Sequence, residues 1–190
     1  MENGCHRPLM AATRLGVVAL VLGSASVEAQ YRPEIFAGPT VGRIHGPPGN
    51  ATVTGLNLGF GIGLGGQSLL IGPEALLLNG TTQRVRAFAI AARLRQRVGT
   101  VHPHVLAAIG AYSWQTRPVL TLPELSVLGG ADWVETDSFS GSIGAGLTVG
   151  GLATPLSGVV EARWHRNLNQ NGADGARSLL ALTAGIRLVW

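Results

Sequence analysis

The stretch Leu56-Asn-Leu-Gly-Phe-Gly-Ile-Gly-Leu-Gly65 alternates large apolar residues with glycine or asparagine over ten positions. A period of two residues is typical of a β-strand, because successive side chains of a strand point to opposite faces. One face of this strand is therefore apolar, and the other carries very small side chains. The same alternation returns at 139–150 and at 180–190. Three such strands predict an all-β protein with a large apolar sheet surface.

The composition narrows the class of protein further. The chain has 190 residues, of which 28 are glycine, and it is 46% hydrophobic but only 13% charged. Disordered chains are poor in apolar residues and rich in charge, so disorder is excluded. Beyond the N-terminus there is no run of about 18 apolar residues, which excludes a bundle of membrane-spanning helices.

The N-terminus has the pattern of an export signal. Arg7 and Arg14 precede an apolar run at 15–23 that is too short to span a bilayer, and small residues at cleavage spacing follow at 27–29. We therefore predict a cleaved signal over residues 1–29 and a single domain over 30–190, with a buried N-terminal helix as the alternative. The only cysteine, Cys5, lies in the signal, so residues 30–190 have no disulfide, thiolate metal site or cysteine nucleophile.

The charges of residues 30–190 do not indicate a nucleic-acid partner. These residues carry 12 arginines, no lysine and 8 acidic residues. Most of the arginines are scattered singly, whereas a nucleic-acid surface gathers them on one face with aromatic residues between them. An exported chain also rarely meets nucleic acid, so none is expected here.

The two faces of the strands predict which way the sheet is turned. The face opposite the apolar one carries Gly, Ser, Thr and Asn, which cannot cover an exterior in water but suit the inside of a narrow barrel. An apolar exterior in lipid around a small polar lumen explains both faces. The alternative is a soluble lipocalin-like barrel that binds a small ligand, in which the apolar residues face inward.

Five weaker segments bring the number of strands to eight; they are 35–44, 68–78, 85–98, 101–114 and 158–166. The links between strands alternate between short ones, such as 65–67 and 99–100, and longer ones at 115–137 and 167–177. This alternation is typical of an eight-stranded antiparallel up-and-down transmembrane β-barrel whose loop-rich rim faces outside the cell.

Prolines and aromatic residues place further conditions on this barrel. Pro39, Pro73 and Pro103 fall within predicted strands, and each is expected at a strand start or a bulge because proline cannot donate to a ladder.

The larger aromatic side chains fall near strand ends, where amphipathic rings are expected at the level of the lipid headgroups. These aromatic residues are Tyr112, Trp114, Trp164 and Trp190.

The end of the chain, Thr183-Ala-Gly185-Ile-Arg-Leu188-Val-Trp190, carries a resemblance to a known family. Over residues 31–190 the chain resembles the OmpA/OmpX-like small outer-membrane β-barrels, which also have segments similar to 72–76 and 160–164. The resemblance implies the outer membrane of a diderm bacterium, contact with outer-membrane lipid, and an assembly signal read by the barrel-insertion machinery. That signal would consist of Thr183, Gly185, Leu188 and Trp190. The chain ends with its last strand, so no periplasmic peptidoglycan-binding domain is expected.

The alternation also predicts which charged side chains point into the barrel. Counting by parity, the inward charged residues are Glu74, Arg93, Arg95, Glu161, Arg163 and Arg187. Buried charges need partners, so a salt-bridge network is the expected role, and a proton or ion path is the other possibility. An eight-stranded barrel is just wide enough to be filled by side chains, so we expect no pore for solutes.

An enzymatic alternative has to be weighed because some small outer-membrane barrels act on lipid A. The outer-membrane lipid A deacylase has a histidine and a serine two residues apart on a late strand, and His165 is similar in location. The residue two further on is Asn167, which cannot act as an acyl nucleophile, although Asp174 could supply an acid. His102 and His104 give only two metal ligands, which is too few for a site.

The sequence therefore predicts a non-enzymatic outer-membrane barrel with no cofactor. Its loops, chiefly 115–137, would serve an unidentified surface partner or the integrity of the envelope. A lipid A hydrolase remains the alternative.

Overall fold

The fold is a closed β-barrel of eight antiparallel strands joined in chain order. The computed structural model describes residues 32–46, 49–64, 68–96, 98–117, 133–150, 155–168 and 177–190. The strands are β1 (Arg32–His45), β2 (Ala51–Leu64), β3 (Leu69–Asn79), β4 (Gln83–Arg95), β5 (Val101–Thr116), β6 (Val134–Val149), β7 (Leu156–Asn167) and β8 (Ser178–Val189). Each strand pairs with the next, and β1 closes the barrel against β8. The predicted eight-stranded up-and-down barrel is confirmed.

The predicted signal at 1–29 lies outside the described residues. Within the described ranges, no helix has the length and hydropathy needed to cross a membrane.

The two rims of the barrel differ in their connections. One rim, here called the turn side, has the links 65–68, 96–100 and 150–155, together with the start of β1 and the end of β8. The opposite rim, the loop side, has the links 46–50, 80–82, 117–133 and 168–177. The two longest connections therefore share the loop side.

The outer wall of the barrel is apolar, as the alternation predicts. Large side chains point outward on every strand and are widely exposed, for example Phe88 at 62% and Ile143 at 59%. The outward apolar side chains of β6 run from Phe139 to Val149, a span of 11 residues, and about 9–11 tilted residues cross the hydrocarbon core of a bilayer. This wall is the inverse of a soluble lipocalin-like barrel, so that alternative is wrong.

Two prolines lie in the middle of strands, where we expected strand starts or bulges. The ladder between β1 and β8 lapses around Pro39 and resumes at Thr40 opposite Thr183 without a change of register. The ladder between β2 and β3 lapses in the same way around Pro73. A local lapse removes the need for a proline N–H without adding a residue to the strand, so the expectation is wrong for these two. Pro103, the third residue of β5, fits it.

Glycine allows the strands to approach each other at these lapses. A Cβ added to Gly185 would lie 2.3 Å from the carbonyl oxygen of Ala37, and one added to Gly72 would lie 2.0 Å from that of Phe60. Because the obstacle in both cases is main chain, no other residue fits there without moving a strand.

The longest connection is shorter than the sequence predicts. Gln115 pairs with Glu135 and Thr116 pairs with Val134, so β5 and β6 extend past the predicted boundaries at 115 and 137. The connection is 117–133, of which 118–132 lie outside the described residues. The alternation is invisible here because both faces of these strand ends carry polar residues.

Candidate functional site: the filled lumen and the loop-side rim

The middle of the lumen holds a cluster of paired charges. Arg93 donates from Nε to Glu161 Oε1 at 2.8 Å, and it also contacts Glu74. Arg163 donates from Nε to Glu161 Oε2 at 3.0 Å and from Nη2 to Glu74 Oε1 at 3.1 Å. His104 Nε2 lies 3.0 Å from Glu161 Oε1. We call these five residues the central ion cluster; all are at least 95% buried, so each charge depends on its partners rather than on water.

A second group of charges lies nearer the turn side. Arg95 forms two hydrogen bonds to the carboxylate of Glu34, at 2.7 and 2.5 Å. Arg187 Nη1 lies 3.5 Å from the same carboxylate, and its Nη2 donates to Ser157 Oγ at 2.9 Å. The structure thus places all six sequence-predicted interior charges inside the barrel, in two groups rather than one.

Two members of these groups were missed by sequence reasoning. Glu34 has the same parity as Phe36, which predicts its inward direction, but the alternation in the sequence predicts a first strand that starts only at Ile35, whereas β1 starts at Arg32. The sequence suggests only a metal-ligand role for His104, whereas in the structure it contacts Glu161. Among the described residues, no group of three or more His, Cys, Asp or Glu side chains could hold a metal ion.

The loop-side half of the lumen is filled differently, by a cluster of buried apolar side chains that we call the apolar plug. Its members are Ile44, Val53, Leu76, Leu78, Val85, Ala87, Tyr112, Trp114, Leu179 and Ala181. Every charged side chain that the described strands point inward lies on the turn side of this plug or in the middle of the barrel. The plug therefore separates these paired charges from the loop-side rim, where the buried Arg177 lies just before β8.

The expected positions of two aromatic residues are wrong. Tyr112 and Trp114 are each only 2% exposed and stack on each other inside the plug, with ring centroids 6.2 Å apart. Trp114 Nε1 donates to Ser138 Oγ at 3.0 Å, which satisfies its one polar atom inside the barrel. Parity decides the direction of a side chain, and nearness to a strand end does not. Trp164 and Trp190 do point outward.

His165, the candidate of the hydrolase alternative, also points into the lumen. It is 2% exposed, and its Nδ1 lies 2.8 Å from the hydroxyl of Tyr112. Asn167 ends β7 two residues later, and Asp174 lies outside the described residues. A lipid ester outside the barrel has no access to this imidazole.

The residues of the expected assembly signal divide between the two faces of β8. Thr183 points inward, and its hydroxyl lies 2.8 Å from that of Thr40 across the closing seam. Gly185 gives the close approach to β1 described above. Leu188 and Trp190 point outward, and Trp190 is 61% exposed.

The loop-side rim carries charges on the outer wall, and they differ from one side of the barrel to the other. Near β4 to β6, the guanidinium of Arg84 lies 4.0 Å from the ring centroid of Trp133. Glu135 accepts a hydrogen bond from Ser113, and this bond, with smaller contributions from Gln115 and Arg86, lowers the pKa of the exposed Glu135 carboxyl.

Near β7, β8 and β1, the outward groups at the loop-side rim are basic. Arg166 pairs in register with Ser178, which in turn pairs with His45. Arg43 lies two residues from His45 on the same outward face. None of the ion pairs among the described residues involves Arg43 or Arg166.

Comparison with protein-family models and with curated proteins gives no match. The chain is similar in structure to Neisserial surface protein A, with a TM-score of 0.64 and 11% identity over 82% of this chain and 96% of that one. It is also similar to Ail, the attachment invasion locus protein of Yersinia pestis, in complex with the heparin analogue sucrose octasulfate. That comparison has a TM-score of 0.54 and 13% identity over 84% of this chain and 99% of that one. Likeness at this level of identity concerns the fold alone: the chain has the fold of a small eight-stranded antiparallel β-barrel, as these two outer-membrane proteins do.

Proposed function

We propose that this protein is a non-enzymatic, integral outer-membrane barrel, exported through the secretory pathway, that holds its loop-side rim at the cell surface. The observation that carries the proposal is the distribution of polarity. The outer wall exposes large apolar side chains on all eight strands, while the paired arginines and glutamates of the lumen are at least 94% buried. Only lipid around the barrel makes this arrangement favourable, because water would solvate the opposite one.

The filled lumen favours a scaffold over a conduit. Four arginines and three carboxylates occupy the middle and the turn side, and the apolar plug occupies the loop side. A proton or ion path would need the polar interior to continue to both rims. In the described strands the paired charges stop at the plug, where the remaining buried polar groups, such as His165 and Ser138, are hydrogen-bonded to Tyr112 and Trp114 among packed side chains.

The position of His165 supports a non-enzymatic role. An enzyme acting on lipid A must present its catalytic groups to a substrate in the membrane, yet this imidazole is buried against Tyr112 inside the barrel. Nothing in the described outer wall places a histidine, a nucleophile and an acid together.

The loop-side rim supports surface display. β5 and β6 are the longest strands, with 16 residues each. Their loop-side ends extend beyond the apolar span of Phe139 to Val149, so they raise the connection 117–133 above the wall. We propose that this connection serves an unidentified surface partner or the integrity of the envelope.

The C-terminal strand supports assembly by the barrel-insertion machinery. Thr183 and Gly185 contact β1 at the closing seam, whereas Leu188 and Trp190 point outward. Another protein can therefore bind these two outward side chains before the barrel enters the lipid. We expect deletion of Trp190 to reduce insertion into the outer membrane in cells while leaving refolding in detergent nearly unchanged. Comparing membrane fractions with in vitro refolding yields tests this, and efficient insertion of the shortened chain would contradict it.

The proposal as a whole is tested with protein refolded in detergent. We expect β-sheet circular dichroism, a gel mobility that changes on heating, and no discrete conductance in planar bilayers. In intact cells, a protease site inserted within 118–132 should be cut, whereas the same site within 151–154 should resist. A soluble monomer without detergent would overturn the proposal.

The hydrolase alternative has a separate test. Expression of the wild-type chain and of His165→Ala should leave the acylation of lipid A identical to that of a vector control. A change in acylation that depends on His165 would establish the enzyme instead.

A further inference from the structure

The two sides of the loop-side rim differ in whether their arginines have acidic neighbours. On the β4 to β6 side, Arg84 and Arg86 lie in the same rows of the sheet as Glu135 and Asp137. On the β7, β8 and β1 side, no described carboxylate pairs with Arg43 or Arg166. Among the described residues, Arg43 and Arg166 are therefore outward cations at the rim with no acidic residue in their rows of the sheet.

Their positions bring the two arginines toward a common point outside the barrel. Arg166 and His45 are separated by one strand, β8, and therefore by about 10 Å at two strand spacings. The residue between them is Ser178, whose side chain is small. Arg43 lies two residues along β1, in the row of Leu180 and Trp164. Arg43 and Arg166 therefore face each other diagonally across Ser178 and Leu180 of β8, and long, flexible arginine side chains can reach one group above this strand.

Trp164 marks the depth of this pair in the membrane. Its ring points outward, and the guanidinium of Arg166 lies 5.9 Å from the ring centroid. An outward tryptophan beside a cation is typical of the level of the lipid headgroups. The arginines therefore lie at the upper edge of the apolar wall and not within it.

An apolar groove begins at the same place and runs over β4 to β7. It has a volume of about 550 Å³, and it is floored by Ala92, Ala107 and Gly141 between larger neighbours such as Ile109 and Ile143. Arg166 and Trp164 line its β7 side. A groove of this shape has a charged edge and an apolar floor, which matches a molecule with an anionic head and a hydrocarbon chain.

We propose that this part of the wall is a binding site for a phosphate-bearing lipid of the outer leaflet. The phosphate lies between the guanidinium groups of Arg43 and Arg166, and one acyl chain lies in the groove over Gly141. Guanidinium binds phosphate through paired, charge-assisted hydrogen bonds, and the chain is removed from contact with mobile lipid by the groove walls. The inference rests on the proposed function, which places this wall in the outer leaflet.

A second copy of the chain fits the same surface less well. A two-fold dimer would use the same patch on both copies, and so would bring four arginines together. The described residues of this patch supply no acid to pair with them. A phosphorylated lipid supplies the missing negative charge itself.

The experiment uses full-length mature barrel refolded in detergent, with lipid A that carries its phosphates as the probe. Native mass spectrometry counts the lipid molecules retained on each barrel. We expect the wild type to retain lipid A, and Arg43→Gln combined with Arg166→Gln to lower the affinity about tenfold or more, since two charge-assisted contacts are lost. Arg84→Gln combined with Arg86→Gln is the matched control and should bind as the wild type does.

The groove is tested by filling it. A Cβ on Gly141 would meet Leu168 at 3.4 Å and nothing closer, so Gly141→Leu is tolerated by the barrel and places its side chain in the groove. Gly158→Leu is the control, because its Cβ would lie 4.0 Å from the nearest atom on a part of the wall away from the groove. We expect only the first variant to weaken retention of lipid A.

Further arms separate the possible outcomes. Dephosphorylated lipid A with the same acyl chains should bind weakly, and inorganic phosphate alone should not compete at equal concentration. Equal retention by the wild type and the double arginine variant would overturn the site, as would a change of oligomeric state in Gly141→Leu without loss of lipid. If the barrel shows heat-modifiable mobility but binds lipid A and dephosphorylated lipid A equally, this inference alone is wrong. If the chain fails to fold in detergent, the proposed function is wrong.

Discussion

The two halves of the lumen are filled by side chains of opposite chemistry. The turn-side half and the middle are filled by arginines and carboxylates that pair with one another, and the loop-side half is filled by the apolar plug. Both halves exclude water from a narrow space. The charged half gains its stability only when every partner is present, because an unpaired buried charge is costly, whereas each apolar side chain contributes on its own. The difference predicts that the same kind of deletion has unequal effects in the two halves.

The largest effect is expected from breaking the central ion cluster. Glu161→Gln leaves Arg93 and Arg163 with one carboxylate between them and also removes the charge beside His104. We expect a loss of about 3–5 kcal/mol in the free energy of unfolding, the usual result of removing one partner of a buried pair. The measurement is the urea dependence of heat-modifiable mobility. Glu74→Gln should behave alike, and a stable Glu161→Gln barrel would mean that the charges are not interdependent.

The next effect comes from the apolar plug. Leu78 is 1% exposed inside the barrel, and its neighbour Leu77 points outward with 43% exposure. Leu78→Ala should cost about 2–4 kcal/mol, because it leaves a cavity between packed side chains. Leu77→Ala is the matched control and should cost less, since lipid can fill the space. Equal losses in the same urea titration would show that the plug is loosely packed.

A smaller loss of stability is expected when a methyl group is added to a glycine in each half of the lumen, and its size shows how closely that half is packed. A Cβ on Gly146 would lie 2.7 Å from His104 Nε2 and 2.4 Å from the carbonyl oxygen of Val160, so Gly146→Ala disturbs the ion cluster. A Cβ on Gly42 would meet mainly the mobile end of Leu179, at 2.6 Å. Overpacking of this kind costs about 1–3 kcal/mol. We expect Gly146→Ala in that range and Gly42→Ala below it; the reverse order would place the tighter packing in the plug.

The smallest effect lies outside the lumen, at the exposed Glu135. Hydrogen bonding from Ser113 lowers the pKa of its carboxyl below the ordinary value of 4.5, so its contribution to stability is complete above that pH and is lost as the pH falls below it. The urea midpoints of the wild type and of Glu135→Gln should differ slightly at pH 7 and converge in acid. A difference that persists in acid would mean that the carboxylate charge is not its cause.

The sequence predicts most of this fold because parity carries two pieces of information at once. Residues 56–65 identify a strand and also assign its outer face, and the same rule places Arg93 and Glu161 inside. Parity fails where both alternating faces are apolar, as at Leu76, Leu77 and Leu78, so the plug could not be predicted. It also fails where both faces are polar, which is why the ends of β5 and β6 were missed.

Proximity in three dimensions is the part that parity cannot supply. Thr40 and Thr183 lie on opposite sides of the closing seam, and Glu161 contacts Arg93 across the lumen. The order of strands around the barrel predicts which strands are neighbours, but only the register and tilt decide which carboxylate meets which arginine.

The closing seam also has a kinetic consequence. Every neighbouring pair of strands is a hairpin except β1 and β8, whose facing residues Thr40 and Thr183 are 143 positions apart. Bringing such distant residues together carries the largest loop-closure entropy in the barrel, and this seam also contains the lapse at Pro39. The hairpins can therefore form early and locally, and the cylinder closes last. When the native barrel opens locally, amide hydrogen exchange should be fastest along the seam between β1 and β8. The pattern of exchange in the native protein would then report the order in which the strands assemble.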